Sequence, residues 1–457
     1  MSSLHGEMTL KHVEDAVKHR AKKSKIGIVS LGCAKNQVNT EQMMYLLDEA
    51  GYEVSGDLTC DAVIVNTCGF IESAKMEAIE TILELSSAKE EGRLTKIIVA
   101  GCLAERYRSE IAAEIPEVDA LVGVGSFDEI VKVVKSTVEG NGKPQLFGDI
   151  SGPVSETKRI LTTSPAWAYL KIADGCDNNC AYCVIPSIRG RFRSRSMERI
   201  VAEAAELAEC GVKELIVVAQ DVTRYGLDLY GKRSLPKLLN GLCDIDDLEW
   251  IRLHYLYPDD IDDELIEVIA GNEKILKYLD IPIQHVSDRI LRKMNRRGGG
   301  EEIRALIRSL RERIPGVVLR TSIITGLPGE AEKEFDELCS FLREAKIERA
   351  GVFPYSPEEG TKAALMKRPD QDIAERRAEL AADIQSGIMD EFNISRIGSV
   401  IRVLIEGRED ESFFGRSFAE SPDIDGYITV TGAAKENGFF NVRLTGIDNG
   451  ELVGEII

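Results

Sequence analysis

The chain has no run of eighteen consecutive apolar residues, so no stretch is long enough to cross a bilayer as a helix. Its opening segment, MSSLHGEMTLKHVEDAVKHRAKKSK, lacks the apolar core of an export signal, and the expected location is the cytoplasm. A basic excess is missing too: 57 Lys and Arg stand against 77 Asp and Glu, a formal charge of -20. That balance argues against a broad non-specific nucleic-acid surface and leaves room only for a local basic groove. Ten cysteines in 457 residues are too sparse for the disulfide framework of a small secreted scaffold. The histidines, His254 and His285 included, form no pair with metal-ligand spacing, although His285 in DIPIQH falls at a predicted strand end where it can contact a site.

A chain this long exceeds what one hydrophobic core supports, so two or three domains are expected. Residues 1–24 read as a partly helical N-terminal extension with no assigned role. From 25 to 147, β-branched runs (KIGIVS, DAVIVNT, KIIVAG, LVGVG) alternate with helical patterns, which predicts a parallel sheet with helices on its faces. The polar stretch GDISGPVSETKRILTTSP, 148–165, reads as a linker. From 166 to 395, WAYLKIA, ELIVVAQ, WIRLHYL, YLDIPIQ, VVLRTSI and RAGVF are strand candidates separated mostly by helical stretches. They predict a partial (βα)6 barrel with its working face at the strand C-termini. Residues 396–457 alternate in short strands, as a small antiparallel β-barrel does, and hold 6 basic and 11 acidic side chains, a balance of -5. The expected class is α/β multidomain, closed by that barrel.

Two sets of cysteines sit where chemistry is expected. Cys33, Cys68 and Cys102 each end a predicted strand of the first region, 35 and 34 residues apart, close to one strand-helix repeat. Such spacing brings them to the sheet edge where open α/β sheets bind ligands. The other reading, buried core thiols, requires one topological position to be filled three times without purpose. The second set lies in GCDNNCAYC, directly after the first barrel strand. Cys176, Cys180 and Cys183 have no fourth cysteine nearby, so neither a four-ligand zinc site nor a ferredoxin run is complete. Three thiolates can hold three irons of a cubane 4Fe-4S cluster and leave the fourth iron open. Cys60, Cys210, Cys243 and Cys339 share no such position and read as packing residues.

CxxxCxxC on that loop, with Tyr182 just before the last cysteine, resembles the radical S-adenosylmethionine (SAM) superfamily. The resemblance implies that Cys176, Cys180 and Cys183 hold a 4Fe-4S cluster whose open iron chelates SAM, and that one electron cleaves SAM to a 5'-deoxyadenosyl radical. SIITGLPGE, with Gly326 and Gly329, is similar to the glycine-containing strand on the adenine side; an ordinary glycine turn is the alternative. Gln220 and Asp221 offer polar groups to the amino or ribose end of SAM, or else solvate the mouth. Tyr182, Gln220, Gly326 and Gly329 are thus the cofactor-binding candidates. RGRFRSR puts Arg189, Arg191, Arg193 and Arg195 behind the loop, either to hold the SAM carboxylate or an acidic substrate group, or as a solvated basic surface.

The domain order and the segments SLGCAKN, VNTCGFIESAK, GCLAERY, CVIPSIRGRFRSR, LDIPIQH and FPYSPEEGT resemble the methylthiotransferase family, over nearly all of 25–457, with a TRAM-like terminal barrel. They are more similar to its ribosomal-protein branch than to its transfer-RNA branch. Ala34 stands where the family has a proline, and Asn39 near a usual acidic residue; neither is a cysteine ligand. The resemblance implies a second 4Fe-4S cluster on Cys33, Cys68 and Cys102 whose open iron carries sulfur, both open irons facing one chamber. One SAM methylates the sulfur and another supplies the radical, which takes hydrogen from the β-carbon of an aspartate in small-subunit ribosomal protein number twelve. Implied partners are that basic protein, the ribosome and an electron donor; transfer RNA is a partner only in the other branch. A terminal barrel gripping RNA should be basic, and this one is acidic.

Overall fold

The computed structural model describes residues 24–56, 59–140 and 142–457; the N-terminal extension expected before Ser24 lies outside the described residues. They form two compact units. One comprises the chain up to Gly69, Ser73–Asp149 and Thr157–Ile160, and the other Phe70–Glu72, Ile150–Glu156 and Leu161–Ile457. The stretch read as a linker is bound chain. Within the first unit Arg159 pairs with buried Glu41 at 2.8 Å, and within the second Glu156 pairs with Arg195 at 2.6 Å.

In the first unit β1 (Lys25–Ser30), β2 (Glu53–Ser55), β3 (Cys60–Thr67), β4 (Leu94–Gly101), β5 (Ala120–Val122) and β6 (Gln145–Leu146) are ordered 2-1-3-4-5-6, all parallel. The central runs are apolar on both faces because helices cover both. Ile64 and Ile98 pack with Ile130 on one side, Val63 and Val99 with Ile82 on the other. The short edge strands β2 and β6 are too brief to show in the alternation.

In the second unit β7 (Trp167–Lys171) leads into a two-stranded ribbon, β8 (Ala173–Asp174) with β9 (Arg193–Ser194). Then follow β10 (Glu214–Val218), β11 (Trp250–Leu253), β12 (Ile275–Asp280), β13 (Val318–Thr325) and β14 (Arg349–Pro354). The sheet runs 7-10-11-12-13-14, each pair parallel, and β7 does not pair with β14. This is the partial barrel expected from the six repeats, except that β12 stops at Asp280, so IPIQ falls beyond it. Alternation gives the strands two characters. Ala168, Leu170, Leu215, Val217 and Ile251 join the helix-covered core. Trp167, Lys171, Glu214, Arg252 and Tyr278 occupy the opposite face. Helix Met197–Glu209 shows how the outer layer forms: Ser196 caps it by accepting from Arg199 N, and Ile200, Ala204, Leu207 and Ala208 make one buried stripe. Replacing Ile200 by alanine there would cost about 2–5 kcal/mol. Among the described residues no helix is long and apolar enough to cross a membrane.

After helix Gln371–Arg396, the strands β15 (Val400–Glu409), β16 (Ser412–Arg416), β17 (Ile428–Thr431), β18 (Phe439–Asp448) and β19 (Glu451–Ile456) close a barrel in the order 15-16-17-19-18. Val403, Ile405, Val430, Val442 and Leu444 fill it. β16 ends at Arg416, and residues 417–425 leave the barrel to meet the polar face of β10–β14.

Candidate functional site

The loop 175–183 lies at the C-terminal end of β7 and is fixed by the backbone. Cys176 N donates to Gly190 O (3.2 Å), Ala181 N to Met294 O (2.8 Å), Ala363 N to Ala181 O (2.8 Å) and Cys183 N to Cys180 O (3.0 Å). Asn179, at φ 51°, takes the left-handed turn that an asparagine tolerates. All three thiols are half-buried. Burial pushes the Cys176 thiol up to about 11 and that of Cys183 further, and Cys180 raises both, so the sulfurs occupy one neighbourhood. Among the described residues no three His, Cys, Asp or Glu side chains converge on a single ion. Three cysteines on one loop match the three thiolate ligands that a cubane with one open iron takes from the chain. Beside it stands Arg296, whose guanidinium donates to Pro282 O (2.6 Å) and lies 4.2 Å from the Tyr257 ring. A permanent cation next to thiolates offsets their charge. Only the basic pair in MNRRGGG hints at it in the sequence.

In the first unit Cys33 immediately precedes helix Ala34–Glu49, Cys68 follows β3, and Cys102 opens helix Cys102–Arg106 after β4. Since β1, β3 and β4 are neighbours, the three cysteines stand on adjacent strand ends. Their loops pack closely: a Cβ on Gly32 would meet Cys68 Cβ at 2.6 Å, and one on Gly69 would meet the Leu103 backbone at 2.9 Å. Asn36, fully buried, donates from Nδ2 to Leu31 O (3.1 Å) and Thr67 O (2.8 Å), while Cys102 Sγ lies 3.7 Å from its Oδ1. In the sequence it closes the segment SLGCAKN, three residues after Cys33.

Gln220 follows β10. Its Nε2 donates to Asp174 Oδ1 (3.2 Å), but its buried Oε1 has no partner among the described residues. An acceptor left open at a strand end fits the amino or hydroxyl donors of SAM. Asp221 is otherwise employed: it accepts from Asn178 Nδ2 (2.7 Å) and Thr223 N (3.1 Å), tying the cysteine loop to β10 rather than solvating a mouth. Tyr182 packs with Ala181, Met294, Leu327 and Tyr355, and burial pushes its phenol well above the usual range.

Gly326, at φ +73°, approaches helix Gln371–Arg396, since a Cβ there would lie 2.2 Å from that of Ala374; its N donates to Glu330 Oε1 (3.0 Å). Gly329, at φ +85°, approaches the end of Lys293. His285 is buried; its Nδ1 accepts from Val286 N and Ser287 N (2.9 Å each), and its Nε2 is 3.3 Å from Glu330 Oε2, so it braces the glycine turn.

Arg189, Arg193 and Arg195 depart from both expected roles, while Arg191 stays on a solvated surface. Arg189 is buried and donates from Nη1 to both Asp174 oxygens (3.1 and 3.0 Å). Against the upward push of burial, Arg189 and Lys171 hold the Asp174 carboxyl well below the usual range. Arg195 is buried between Glu156 and Glu203, and Arg193 binds the carbonyls of Arg189 and Arg191. Arg191 is the exposed member of the four. Buried cations such as Arg189 and Arg195 must be paired.

A parallel partial barrel with three cysteines on its first loop defines the radical SAM class. A model of the radical SAM superfamily matches residues 170–342, one of the TRAM domain 397–457, and one of an uncharacterized protein family, UPF0004, 25–123. The chain is 48% identical over 448 residues to the ribosomal protein uS12 methylthiotransferase RimO of Acetivibrio thermocellus, covering 95% of this chain and 99% of that protein. It is 49% identical over 445 residues to the RimO of Pelotomaculum thermopropionicum, with the same coverages. The radical S-adenosylmethionine methyltransferase TsrM of Kitasatospora setae, solved with a SAM analog bound, shares the fold at a TM-score of 0.54 and 15% identity, over 73% of this chain and 75% of that one. The chain belongs to the family of ribosomal protein uS12 methylthiotransferases, RimO.

Proposed function

We propose that this chain is a radical SAM methylthiotransferase that places a methylthio group on ribosomal protein uS12, at the β-carbon of an aspartate. One observation carries the reading: two three-cysteine sets, each at the C-terminal strand ends of its own parallel sheet. In this reading Cys176, Cys180 and Cys183 hold one 4Fe-4S cluster and Cys33, Cys68 and Cys102 a second. When bound, the clusters and SAM supply one-electron cleavage of SAM and the sulfur and methyl group to be transferred. The chain's own residues hold and orient. Gln220 Oε1 accepts from the amino or ribose group of SAM, Tyr182 and the turn at Gly326 and Gly329 line its adenine side, and Arg296 offsets the thiolate charge. The target C–H bond is too weak an acid for a side-chain base at neutral pH, so no titrating group is assigned to its removal.

An acidic terminal barrel, at -5, suits a basic protein substrate better than RNA. A ribosomal substrate places the work in the cytoplasm, with contact to the ribosome and an electron donor from the cell. The test is anaerobic incubation of reconstituted protein with SAM, a reductant and uS12, read by mass spectrometry and by 5'-deoxyadenosine release. A methylthio group on a uS12 aspartate is expected. Transfer to RNA alone would refute the substrate, and no 5'-deoxyadenosine from a loaded sample would refute the enzyme. Iron should fall from about eight per chain to about four when Cys33, Cys68 and Cys102 are replaced by alanine.

A further inference from the structure

Three separate loops of the first unit must present three sulfurs at fixed separations before any iron arrives. Backbone pairing between the first two loops reaches Leu31 N to Asn66 O (2.9 Å); beyond it, one side chain spans all three. Asn36 is itself anchored, its N donating to Cys33 O (2.8 Å) and its O accepting from Asn66 Nδ2 (2.8 Å). Both Nδ2 protons are committed, to the carbonyls of Leu31 and Thr67, two residues before Cys33 and one before Cys68. Its Oδ1 faces Cys102 Sγ. A carboxamide supplies two donors and an acceptor at this reach; aspartate matches its size without a donor, and leucine has neither.

We infer that Asn36 is the positioning residue of this site: its carboxamide sets the spacing of Cys33, Cys68 and Cys102 and tunes the cluster they hold. The inference rests on the reading of those cysteines as cluster ligands. Once Cys102 is bound as thiolate its S–H is gone, and the negative end of the amide dipole remains beside a sulfur whose electron density rises on reduction. Asn36 therefore disfavours the added electron and lowers the cluster's reduction potential.

The test uses the full chain with Cys176, Cys180 and Cys183 replaced by alanine, so that only the first set can hold iron. This background is compared with the same chain carrying Asn36→Leu or Asn36→Asp, each reconstituted anaerobically. The background should keep about four irons. Both variants should lose iron to a chelator about tenfold faster, and the cluster that Asn36→Leu retains should have a more positive midpoint potential and an altered EPR spectrum. Asn36→Asp, despite its matching size, should retain iron no better than Asn36→Leu, a result that simple packing would not give. Background rates of iron loss with an unchanged potential in either variant would overturn the inference. No iron in the background would instead overturn the assignment of the cysteines. Should far-UV circular dichroism show Asn36→Leu unfolded, Asn36→Ser, smaller and left with one donor, carries the same measurements.

Discussion

Arg416 Nη2, at the end of β16, and Glu214 Oε2, at the start of β10, meet at 2.7 Å with neither side chain exposed. Around that pair the charges are balanced. Arg252 Nε donates to Glu214 Oε1 (2.6 Å), Arg416 Nε to Glu406, and Trp167 Nε1 to Glu406 Oε2 (2.8 Å). Further along the same segment His254 Nε2 and Ser421 Oγ are 2.9 Å apart, and Tyr278 OH donates to Asp425. The segment 416–425 thus binds the terminal barrel to the polar face of the radical SAM sheet.

Breaking this pair from one side leaves charge buried without its partner, the costly direction. Arg416→Met strips Glu406 of its cation and leaves Glu214 with Arg252 alone. We expect a loss of about 3–5 kcal/mol in urea unfolding. Lys346→Met, which breaks a surface pair with Glu391 at 2.7 Å, should cost under about 1 kcal/mol. Equal losses would mean that the buried network contributes no more than a surface contact.

Glu420 gives the same interface a pH signature. Burial pushes its carboxyl up, but Arg396 and Arg349 more than offset this and hold it at about 2, against an ordinary 4.5. A depressed carboxyl contributes stability above its unfolded pKa and loses it as pH falls through the folded value, here from 4.5 towards 2. Unfolding of the wild type should therefore steepen in that window, by an amount on the order of 3 kcal/mol. Glu420→Gln should be less stable at pH 7 and should lack this extra acid sensitivity. Parallel pH profiles for the two proteins would contradict the assignment.

Both parallel sheets are legible in the sequence because a strand covered on two faces must be apolar throughout, and KIIVAG and ELIVV are short, β-branched runs of that kind. The cysteine sets are legible because spacing and strand ends are local properties. What is not legible depends on distant partners. Arg189 and Arg195 look like solvated cations until Asp174 and Glu156, 15 and 39 residues away, are seen to bury them. Nothing in SFAESPDID marks its Phe418 carbonyl as the partner of Arg252, 166 residues away. Asn36 lies within SLGCAKN and Arg296 in a basic pair, but neither segment says what the side chain touches; only the folded loops do.

Gln220 offers the most direct check on SAM binding. Its buried Oε1, without a partner among the described residues, is costly to leave open and would gain a donor if SAM binds there. Gln220→Leu should weaken SAM about tenfold, equivalent to about 1.4 kcal/mol, in equilibrium binding to the reconstituted protein. The apo variant should unfold within about 1 kcal/mol of the wild type, since leucine removes the open acceptor along with one bond to Asp174. Unaltered SAM affinity would remove Gln220 from the site.

The glycine turn tests whether the terminal helix shapes the adenine side. At Gly326 two penalties coincide: φ +73°, which a side chain adopts at a cost of about 1–2 kcal/mol, and a Cβ that would stand 2.2 Å from Ala374 Cβ. Gly326→Ala should lose about 2–5 kcal/mol in all. Ala374→Gly should lose about 1 kcal/mol through helix propensity. If the collision dominates, the double variant recovers it and leaves only strain and propensity, a favourable coupling of about 1–3 kcal/mol in a double-mutant cycle. Strict additivity would assign the whole effect to the backbone of Gly326. Because Gly326 N is bound to Glu330, and Glu330 lies against His285, the collision should also displace the turn, and SAM affinity should fall in Gly326→Ala and return in the double variant.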